Sequence, residues 1–172
     1  TDASGNSSTA NQTYNYDDNT APVAVTQNIT VNLDASGNAS ITPADVENGS
    51  TDDCGSINLV SVAPNTFTCA NLGNNTVTLT INDGNGNSDT ETAVVNIVDN
   101  TAPIAPVLSA LTVDCNGTLT IPTANDNCSG VVNGTTSGSL SFVEGGSTII
   151  TWTFTDASGN SSTANQTYNY DD

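Results

Sequence analysis

The sequence predicts an all-β protein built from tandem antiparallel sandwiches. Apolar and polar residues alternate with a period of two along eight stretches, and no stretch shows the 3.6-residue period of an amphipathic helix. Segments rich in Thr, Asn, Ser, Gly and Asp separate these stretches at intervals of about 8–12 residues, as is typical of a two-layered sandwich of about seven strands. Internal similarity indicates that more than one such sandwich is present.

The predicted strands follow one another along the chain, joined by a recurring turn. The motif Asp-x-x-Gly-Asn occurs at 34–38, 83–87 and 156–160. At 83–87 and 156–160 it lies between long alternating runs and predicts a hairpin, because Gly adopts positive φ and Asp and Asn form side-chain turns. The alternating apolar positions are Ile29, Val31, Leu33, Ala39, Ile41, Ile57, Leu59, Val77, Leu79, Ile81, Ala93, Val95, Ile97, Leu111, Val113, Leu119, Ile121, Ile150, Trp152 and Phe154.

Residues 1–18 are identical to residues 155–172. Identity at a fixed period is the signature of a repeat array, in which each unit contacts mainly its neighbours. The chain is therefore expected to hold one full repeat and the tail of the preceding one. Residues 1–18 (the leading segment) would be the last strand of that preceding repeat, and we expect them to be frayed, or swapped into a neighbour, where it is missing.

Two modules follow the leading segment: residues 19–99 (module A) and residues 100–172 (module B). A DNTAP string marks both boundaries, and its proline ends the preceding strand and extends the chain. Residues 78–88 align without gaps on residues 151–161, which indicates that the two modules are homologous. Domains this small commonly need a disulfide or a bound metal to supplement the core.

The chain carries 18 acidic residues and no Lys, Arg or His. Its carboxylates can therefore repel one another, be hydrated, accept hydrogen bonds or bind cations, but they have no basic side chain to pair with. Nucleic acid is excluded as a partner because phosphate binding requires Lys or Arg. Direct membrane insertion is not expected, because no apolar run reaches 18 residues.

The four cysteines fall into two sequence-local pairs, Cys54 with Cys69 and Cys115 with Cys128. Four cysteines allow three pairings, and we predict the local one, which places one disulfide in each module. A zinc site is the alternative, but the CxxC spacing and the histidines that zinc usually recruits are missing. Disulfides indicate an oxidising, extracellular location.

We expect the protein not to be an enzyme. No basic side chain is present to activate a nucleophile or to lower the pKa of a thiol. Paired carboxylates of the kind that glycoside hydrolases use do occur, but they lie in the turns of small modules with no evident cleft.

Acidic residues cluster at turns and module boundaries, and these clusters are the predicted Ca²⁺ sites. Ca²⁺ takes six to eight oxygen ligands from carboxylates, amides and backbone carbonyls. The boundaries are the strongest candidates, with a hydrated acidic linker as the alternative; at residues 83–89 ordinary turn formation is the favoured explanation. The candidate ligands are Asp17, Asp18, Asn19, Asp45, Glu47, Asp52, Asp53, Asp83, Asp89, Asp99, Asn100, Asp126 and Asp156.

Three motifs together resemble modules of the hyalin-repeat type: the DNTAP boundaries, the Asp-Asp/Asn-Cys loops ending at Cys54 and Cys128, and the strand followed by Asp-x-x-Gly-Asn-Ser. Such modules are immunoglobulin-like β-sandwiches found in tandem in giant bacterial cell-surface adhesins, including those of gliding bacteria. The resemblance implies tandem antiparallel immunoglobulin-like sandwiches in an extracellular, adhesion-related stalk. The Asp-Asn-x-x-Pro boundary also resembles the linker of cadherins, in which Ca²⁺ stiffens the joint.

The predicted function is a structural repeat of a very long extracellular adhesin, forming a calcium-stiffened stalk that projects a distal binding region. Its partners would be identical repeats in the same chain, and the distal region would contact another surface polysaccharide or protein. The alternative is a repeat that self-assembles into an extracellular filament or sheath. Lateral association distinguishes the two, because a filament subunit buries sheet faces and edges that a stalk leaves solvated.

Overall fold

The computed structural model describes residues 1–15, 17–114, 119–137 and 145–170. Regular structure in these ranges is almost entirely β, and the predicted all-β class is confirmed. The helical elements among the described residues are the single turn α1 (Pro43–Val46) and a 3-10 turn (Cys69–Asn71). Within the same ranges, no helix has the length and apolar character needed to cross a membrane.

Module A places six strands in two sheets. They are β1 (Ile29–Asn32), β2 (Asn38–Ser40), β3 (Asn58–Ala63), β4 (Thr66–Thr68), β5 (Gly73–Asn82) and β6 (Ser88–Val98). The larger sheet has the order β1-β6-β5-β3, and β2 pairs with β4 in a smaller one. The hairpin predicted at 83–87 is confirmed, because β5 and β6 pair antiparallel on either side of it.

Module B has five strands in its described part. They are β7 (Leu111–Val113), β8 (Thr123–Asp126), β9 (Gly130–Asn133), β10 (Ser147–Thr155) and β11 (Ser161–Tyr170). The larger sheet has the order β10-β11-β7, and β8 pairs with β9. Strands β10 and β11 form the hairpin predicted at 156–160, whereas Leu119 and Ile121 lie outside the strands.

Each module departs from antiparallel pairing in one place. Strand β1 runs parallel to β6, and β7 runs parallel to β11, so the first strand of each module lies beside its last long strand. The turn at 34–38 forms as expected, with the N–H of Asp34 donating to the carbonyl of Asn38. It joins two different sheets, however, because β1 pairs with β6 while β2 pairs with β4.

The two modules have separate hydrophobic cores, as the alternation predicts. In module A, Val77, Leu79 and Ile81 of β5 are fully buried against residues of the other sheet, including Phe67. In module B, Trp152 and Phe154 of β10 are buried with Ala124 and Tyr168. Each core therefore lies between the two sheets of one module, and the boundary region is left to polar loops.

The leading segment does not take the structure that its copy takes in module B. Residues 161–170 form β11, while residues 1–15 are exposed and contain no strand. The same sequence thus forms a strand where β10 and β7 pair with it, and residues 1–15, which have no such pairing, form none.

The amide of Gln166 is buried in the core of module B. Its Oε1 accepts hydrogen bonds from the indole Nε1 of Trp152 at 3.1 Å and from the hydroxyl of Tyr168 at 2.8 Å. Its Nε2 donates to the carbonyl of Ser109 at 3.2 Å. The amide therefore joins β10 and β11 to the segment that leads into β7.

We expect Gln166→Leu to lower the free energy of unfolding by about 2–6 kcal/mol, because two buried donors lose their acceptor at roughly 1–3 kcal/mol each. Urea unfolding followed by tryptophan fluorescence measures the change. Gln12→Leu, the same substitution in the exposed leading segment, is the control and should leave stability unchanged. A loss below about 1 kcal/mol would contradict a structural role for the amide.

Candidate metal centre

Three carboxylates from three different segments meet at the boundary between the modules. Asp99 comes from the linker, Asp126 from the end of β8, and Asp156 from the turn between β10 and β11; one oxygen of each lies within 4.8 Å of the others. Asp99 and Asp156 are 2 % and 7 % exposed. We call these three residues the A/B cluster.

Asn160 fixes the linker to the hairpin turn of module B. Its side-chain amide donates to the carbonyl of Asp99 at 3.0 Å and to the carboxylate of Asp156 at 2.8 Å. Its own N–H donates to the Asp156 carboxylate at 2.7 Å. The last residue of the DASGN turn therefore holds the backbone of Asp99 and the carboxylate of Asp156.

The third carboxylate is held by its own loop and keeps one oxygen unused. Oδ1 of Asp126 accepts from the N–H groups of Cys128 and Ser129, at 2.9 and 2.6 Å. Its other oxygen, Oδ2, is buried and has no hydrogen-bond partner. A buried, unsatisfied carboxylate oxygen is costly unless something binds it.

A second cluster has the same construction at the boundary between the leading segment and module A. Asp18, Asp52 and Asp83 also bring one oxygen each within 4.8 Å of the others; we call them the leading cluster. Asn87 is equivalent to Asn160, because its side-chain amide donates to the carbonyl of Asp18 and to the carboxylate of Asp83. Oδ1 of Asp52 is buried without a partner, like Oδ2 of Asp126.

The clusters concentrate negative charge with no basic side chain to offset it. Two unit charges 4.8 Å apart repel by about 3 kcal/mol at an effective dielectric constant of about 20. Burial raises the pKa of the Asp83 carboxyl, but hydrogen bonds from Asn87, Asn85 and Gly86 outweigh it and hold the net pKa below its ordinary value. A hard cation suits this donor set, because carboxylate oxygens are the ligands that Ca²⁺ and Mg²⁺ prefer.

Some predicted ligands lie elsewhere and bind backbone N–H groups. Asp45 caps α1 by accepting from Thr42, Glu47 accepts from Gly49 and Ser50, and Asp89 accepts from Ala24. The remaining candidates lie beside the clusters, with exposed side chains. They are Asp17, Asn19, Asp53 and Asn100.

The predicted disulfides are wrong. Cys69 is bonded to Cys128, with their Cα atoms 5.2 Å apart, so the bridge connects module A to module B. This pairing excludes both Cys54–Cys69 and Cys115–Cys128. Cys54 is exposed and carries a free thiol, and Cys115 lies outside the described residues.

Strand direction explains the error. Asn58 at the start of β3 lies opposite Asn82, at the hairpin end of β5, so Cys54 belongs to the end of module A that faces the leading segment. From there β3 and then β4 run away from that end, and Cys69 follows β4 at the end that faces module B. A separation of 15 positions in the sequence therefore spans the length of the sandwich, at about 3.3 Å per strand residue.

Sequence reasoning missed the residues that hold the boundary together around this bridge. Asn127 donates to the carbonyl of Asp34, and Gly37 lies so close to the bridge that an added Cβ would be 2.6 Å from the Sγ of Cys69. Asn87 and Asn160 were identified only as turn residues. The signal available in the sequence was the recurrence of Asp-x-x-Gly-Asn at each end of a module.

Comparisons with known proteins agree with part of the sequence prediction. Residues 103–170, which make up most of module B, match the HYR-like domain with 4 cysteines. Over 183 aligned positions the chain is 33% identical to hyalin of Strongylocentrotus purpuratus; the alignment covers 98% of this chain and 15% of hyalin.

Two solved cadherin structures are also similar. They are protocadherin gamma B7 extracellular cadherin domains 1–4, at 13% identity and a TM-score of 0.31, and mouse clustered PcdhgC3 EC1-3, at 12% identity and a TM-score of 0.30. The alignments cover 87% and 88% of this chain, and 50% and 68% of those chains.

Stability should fall in acid. The backbone N–H of Ala24 holds the pKa of Asp89 below its ordinary value, and Thr42 and Ser50 do the same for Asp45 and Glu47. A lowered folded-state pKa contributes stability above the unfolded pKa of about 4, and this is lost as pH falls through the folded value.

We therefore expect the melting temperature in chelator to stay level from pH 7 to about pH 5 and to fall below about pH 4. Asp89→Asn should lower the melting temperature at neutral pH. It should also reduce the fall of the melting temperature as the pH is lowered. Glu91→Gln, an exposed change on the same strand, is the control. If the melting temperature of Asp89→Asn falls with decreasing pH as steeply as that of the unsubstituted chain, the Asp89 carboxylate does not contribute to the acid sensitivity.

Breaking the Cys69–Cys128 bridge should destabilise the chain. The bridge joins residues 59 positions apart, for which the chain-entropy relation gives about 4 kcal/mol. Urea unfolding of Cys69→Ser should show a loss of that order, whereas Cys54→Ser should leave stability unchanged because its thiol is exposed and unbonded. Equal losses in the two variants would contradict the pairing.

Proposed function

We propose that this chain is a structural repeat of a long extracellular protein, in which Ca²⁺ bound at each module boundary stiffens the array into a stalk. The stalk would hold a distal binding region of the parent protein away from the cell surface. The observation that carries the proposal is the equivalence of the two carboxylate clusters, one at each boundary that the chain contains.

Each cluster draws its carboxylates from both sides of a boundary. A cation bound to Asp99, Asp126 and Asp156 would tie the linker to two loops of module B and so limit how far the linker can swing. The unpartnered oxygens of Asp126 and Asp52 supply a reason for a cation to bind, because each is buried without a hydrogen bond.

The comparisons support the extracellular and repetitive part of the proposal. Most of module B matches the HYR-like domain with 4 cysteines, and the chain aligns along 98% of its length with 15% of hyalin, as expected for one unit of a longer protein. The interdomain disulfide agrees with an oxidising, extracellular setting.

Calorimetric titration with Ca²⁺ tests the proposal on the 172-residue chain. We expect two binding events, of which Asp126→Asn should remove the one at the A/B cluster and Asp52→Asn the one at the leading cluster. Ca²⁺ should also raise the melting temperature, since a ligand at 100 times its Kd stabilises by about 2.7 kcal/mol. Glu91→Gln, which removes one charge far from both clusters, should keep both binding events.

The stiffening itself is measured best without the covalent bridge. In a Cys69→Ser, Cys128→Ser chain, X-ray scattering should show a narrower spread of module orientations with Ca²⁺ than with chelator. Scattering and calorimetry that are the same in both conditions would mean that the acids are a hydrated surface, and stiffness would then come from the prolines and direct module contacts.

The filament alternative has one observation in its favour. Module B exposes several apolar side chains that a laterally packed array would bury: Ile104, Val107, Ile121, Val131 and Ile149. Sedimentation velocity of the chain in Ca²⁺ separates the two functions. A monomer at all concentrations supports the stalk, and ordered growth with concentration supports the filament.

A further inference from the structure

In module A, the chain segment that contains β1 lies along nearly the whole length of β6. Three hydrogen bonds that involve side chains tie the residues before β1 to β6; they join Ala24 to Asp89, Thr26 to Thr92 and Asn28 to Val94. The parallel ladder of β1 and β6 follows, and at its end the N–H of Leu33 donates to the carbonyl of Val98. Residues 24–33 are therefore held to residues 89–98 along one continuous line.

These two segments connect to the rest of an array at opposite ends of module A. The chain enters at Asp18, which is hydrogen-bonded to the hairpin turn at 83–87, and it leaves from Val98 through the linker. Tension along the array therefore pulls β1 and β6 in opposite directions along their common axis. The evenly spaced hydrogen bonds of a parallel pair are then loaded together, whereas strands pulled apart from one end would lose them one at a time.

The described part of module B has the same loading geometry. Strand β7 runs parallel to β11, which precedes the next boundary of the array as β6 precedes the linker. Before β7, the carbonyl of Ser109 accepts a hydrogen bond from the side chain of Gln166 on β11. Tension would therefore shear the first strand of each module against its last one.

The Cys69–Cys128 bridge gives tension a second path across the boundary between the modules. The two cysteines are 59 positions apart in the sequence, but their Cα atoms are 5.2 Å apart. The backbone between them is a closed loop that contains β5, β6, the linker and two carboxylates of the A/B cluster, those of Asp99 and Asp126. While the bridge is intact, pulling on the two ends of the chain cannot extend this loop, because the load crosses the S–S bond.

We propose that each repeat is a tension-bearing element, in which parallel strands loaded in shear resist the unfolding of a module and the Cys69–Cys128 bridge limits how far the repeat can extend. This role goes beyond a stiff stalk, because a bound cation opposes bending whereas the strands and the bridge oppose pulling. It also does not require a cation in either cluster. An array built in this way transmits a pull from one end to the other without lengthening.

Single-molecule pulling on the full chain tests the strand geometry in module A. One handle is attached at residue 1 and the other at a new cysteine, after the remaining free thiols have been changed to Ser. Asn100→Cys lies in the exposed linker and pulls the module through its two ends, which shears β1 against β6. Asn85→Cys lies in the exposed turn beside Asp18 and pulls the same strands apart from one end.

We expect module A to unfold at a higher force with the handle at residue 100 than with the handle at residue 85. Both variants keep the same fold, which an unchanged melting temperature verifies, so the difference reports the direction of loading alone. Equal forces, or a higher force with the handle at residue 85, would overturn the proposal.

A substitution within the hydrogen-bonded line tests the load path separately. Asn28→Ala removes the acceptor of the Val94 N–H, at 2.7 Å, and should lower the unfolding force measured with the handle at residue 100. Asn74→Ala, the same change at an exposed position of β5, is the control and should leave that force unchanged. Equal forces in the two variants would contradict a load path along residues 24–33.

The length of the unfolded chain tests the bridge. With handles at both ends, Cys69→Ser should lengthen the fully unfolded chain by about 200 Å, since it releases 59 residue steps of about 3.5 Å each. Cys54→Ser should leave the length unchanged, because its thiol is free. If Cys69→Ser adds no length, the bridge does not limit extension and that part of the proposal is wrong.

The outcome is independent of the calcium proposal, because every pulling measurement is made in chelator. Two calorimetric binding events together with equal forces in the two pulling directions would overturn the tension-bearing role alone. A higher force in shear, in a chain that does not bind Ca²⁺, would support the tension-bearing role and remove the metal from the stalk.

Discussion

Repulsion between carboxylates that no basic side chain offsets is the constraint on which the module boundaries depend. A chain with 18 acids and no Lys, Arg or His must either spread its charge or hold it in place by hydrogen bonds and cations. The sheets carry mainly neutral Thr and Asn outside, and two sets of three carboxylates are gathered at the boundaries. Backbone N–H groups and the amides of Asn87 and Asn160 position these carboxylates but leave one oxygen of Asp52 and of Asp126 unsatisfied.

The two boundaries share one local design, although module A has six strands and the described part of module B has five. In both, three carboxylates lie close together. One comes from the linker, one from the loop that precedes a cysteine, and one from a hairpin turn that ends in Asn. Asp18, Asp52 and Asp83 correspond in this way to Asp99, Asp126 and Asp156. Their surroundings differ, since Asp99 has a module on each side of it and is buried, while Asp18 is half-buried between module A and the open leading segment. A complete module before Asp18, in the place that module A takes before Asp99, should bury Asp18 further.

Local pattern was enough to predict the long strands β5, β6 and β10, both hairpins and the core positions on these strands, because these depend on neighbours a few residues apart. Val77, Leu79 and Ile81 alternate in the sequence and point into one core, and Trp152 and Phe154 do the same in the other. Local pattern failed for the disulfide, because proximity of Cys69 to Cys128 depends on which end of the sandwich each loop reaches. It also gave no sign of the parallel pairing of β1 with β6, which joins segments more than sixty residues apart.

The position of the cysteine bridge explains why a single linker need not act as a hinge here. Two sandwiches joined by one extended segment can rotate about that segment, since φ and ψ of a few residues absorb the motion. The Cys69–Cys128 bridge is a second covalent crossing of the same boundary, and the hydrogen bond from Asn127 to Asp34 lies beside it. Asp99 and Asn160 fix the linker at the other crossing. With two separate crossings, the modules can rotate relative to each other only about the line that joins the crossings. A cation in the A/B cluster would oppose this rotation, because it would hold the linker to both loops of module B.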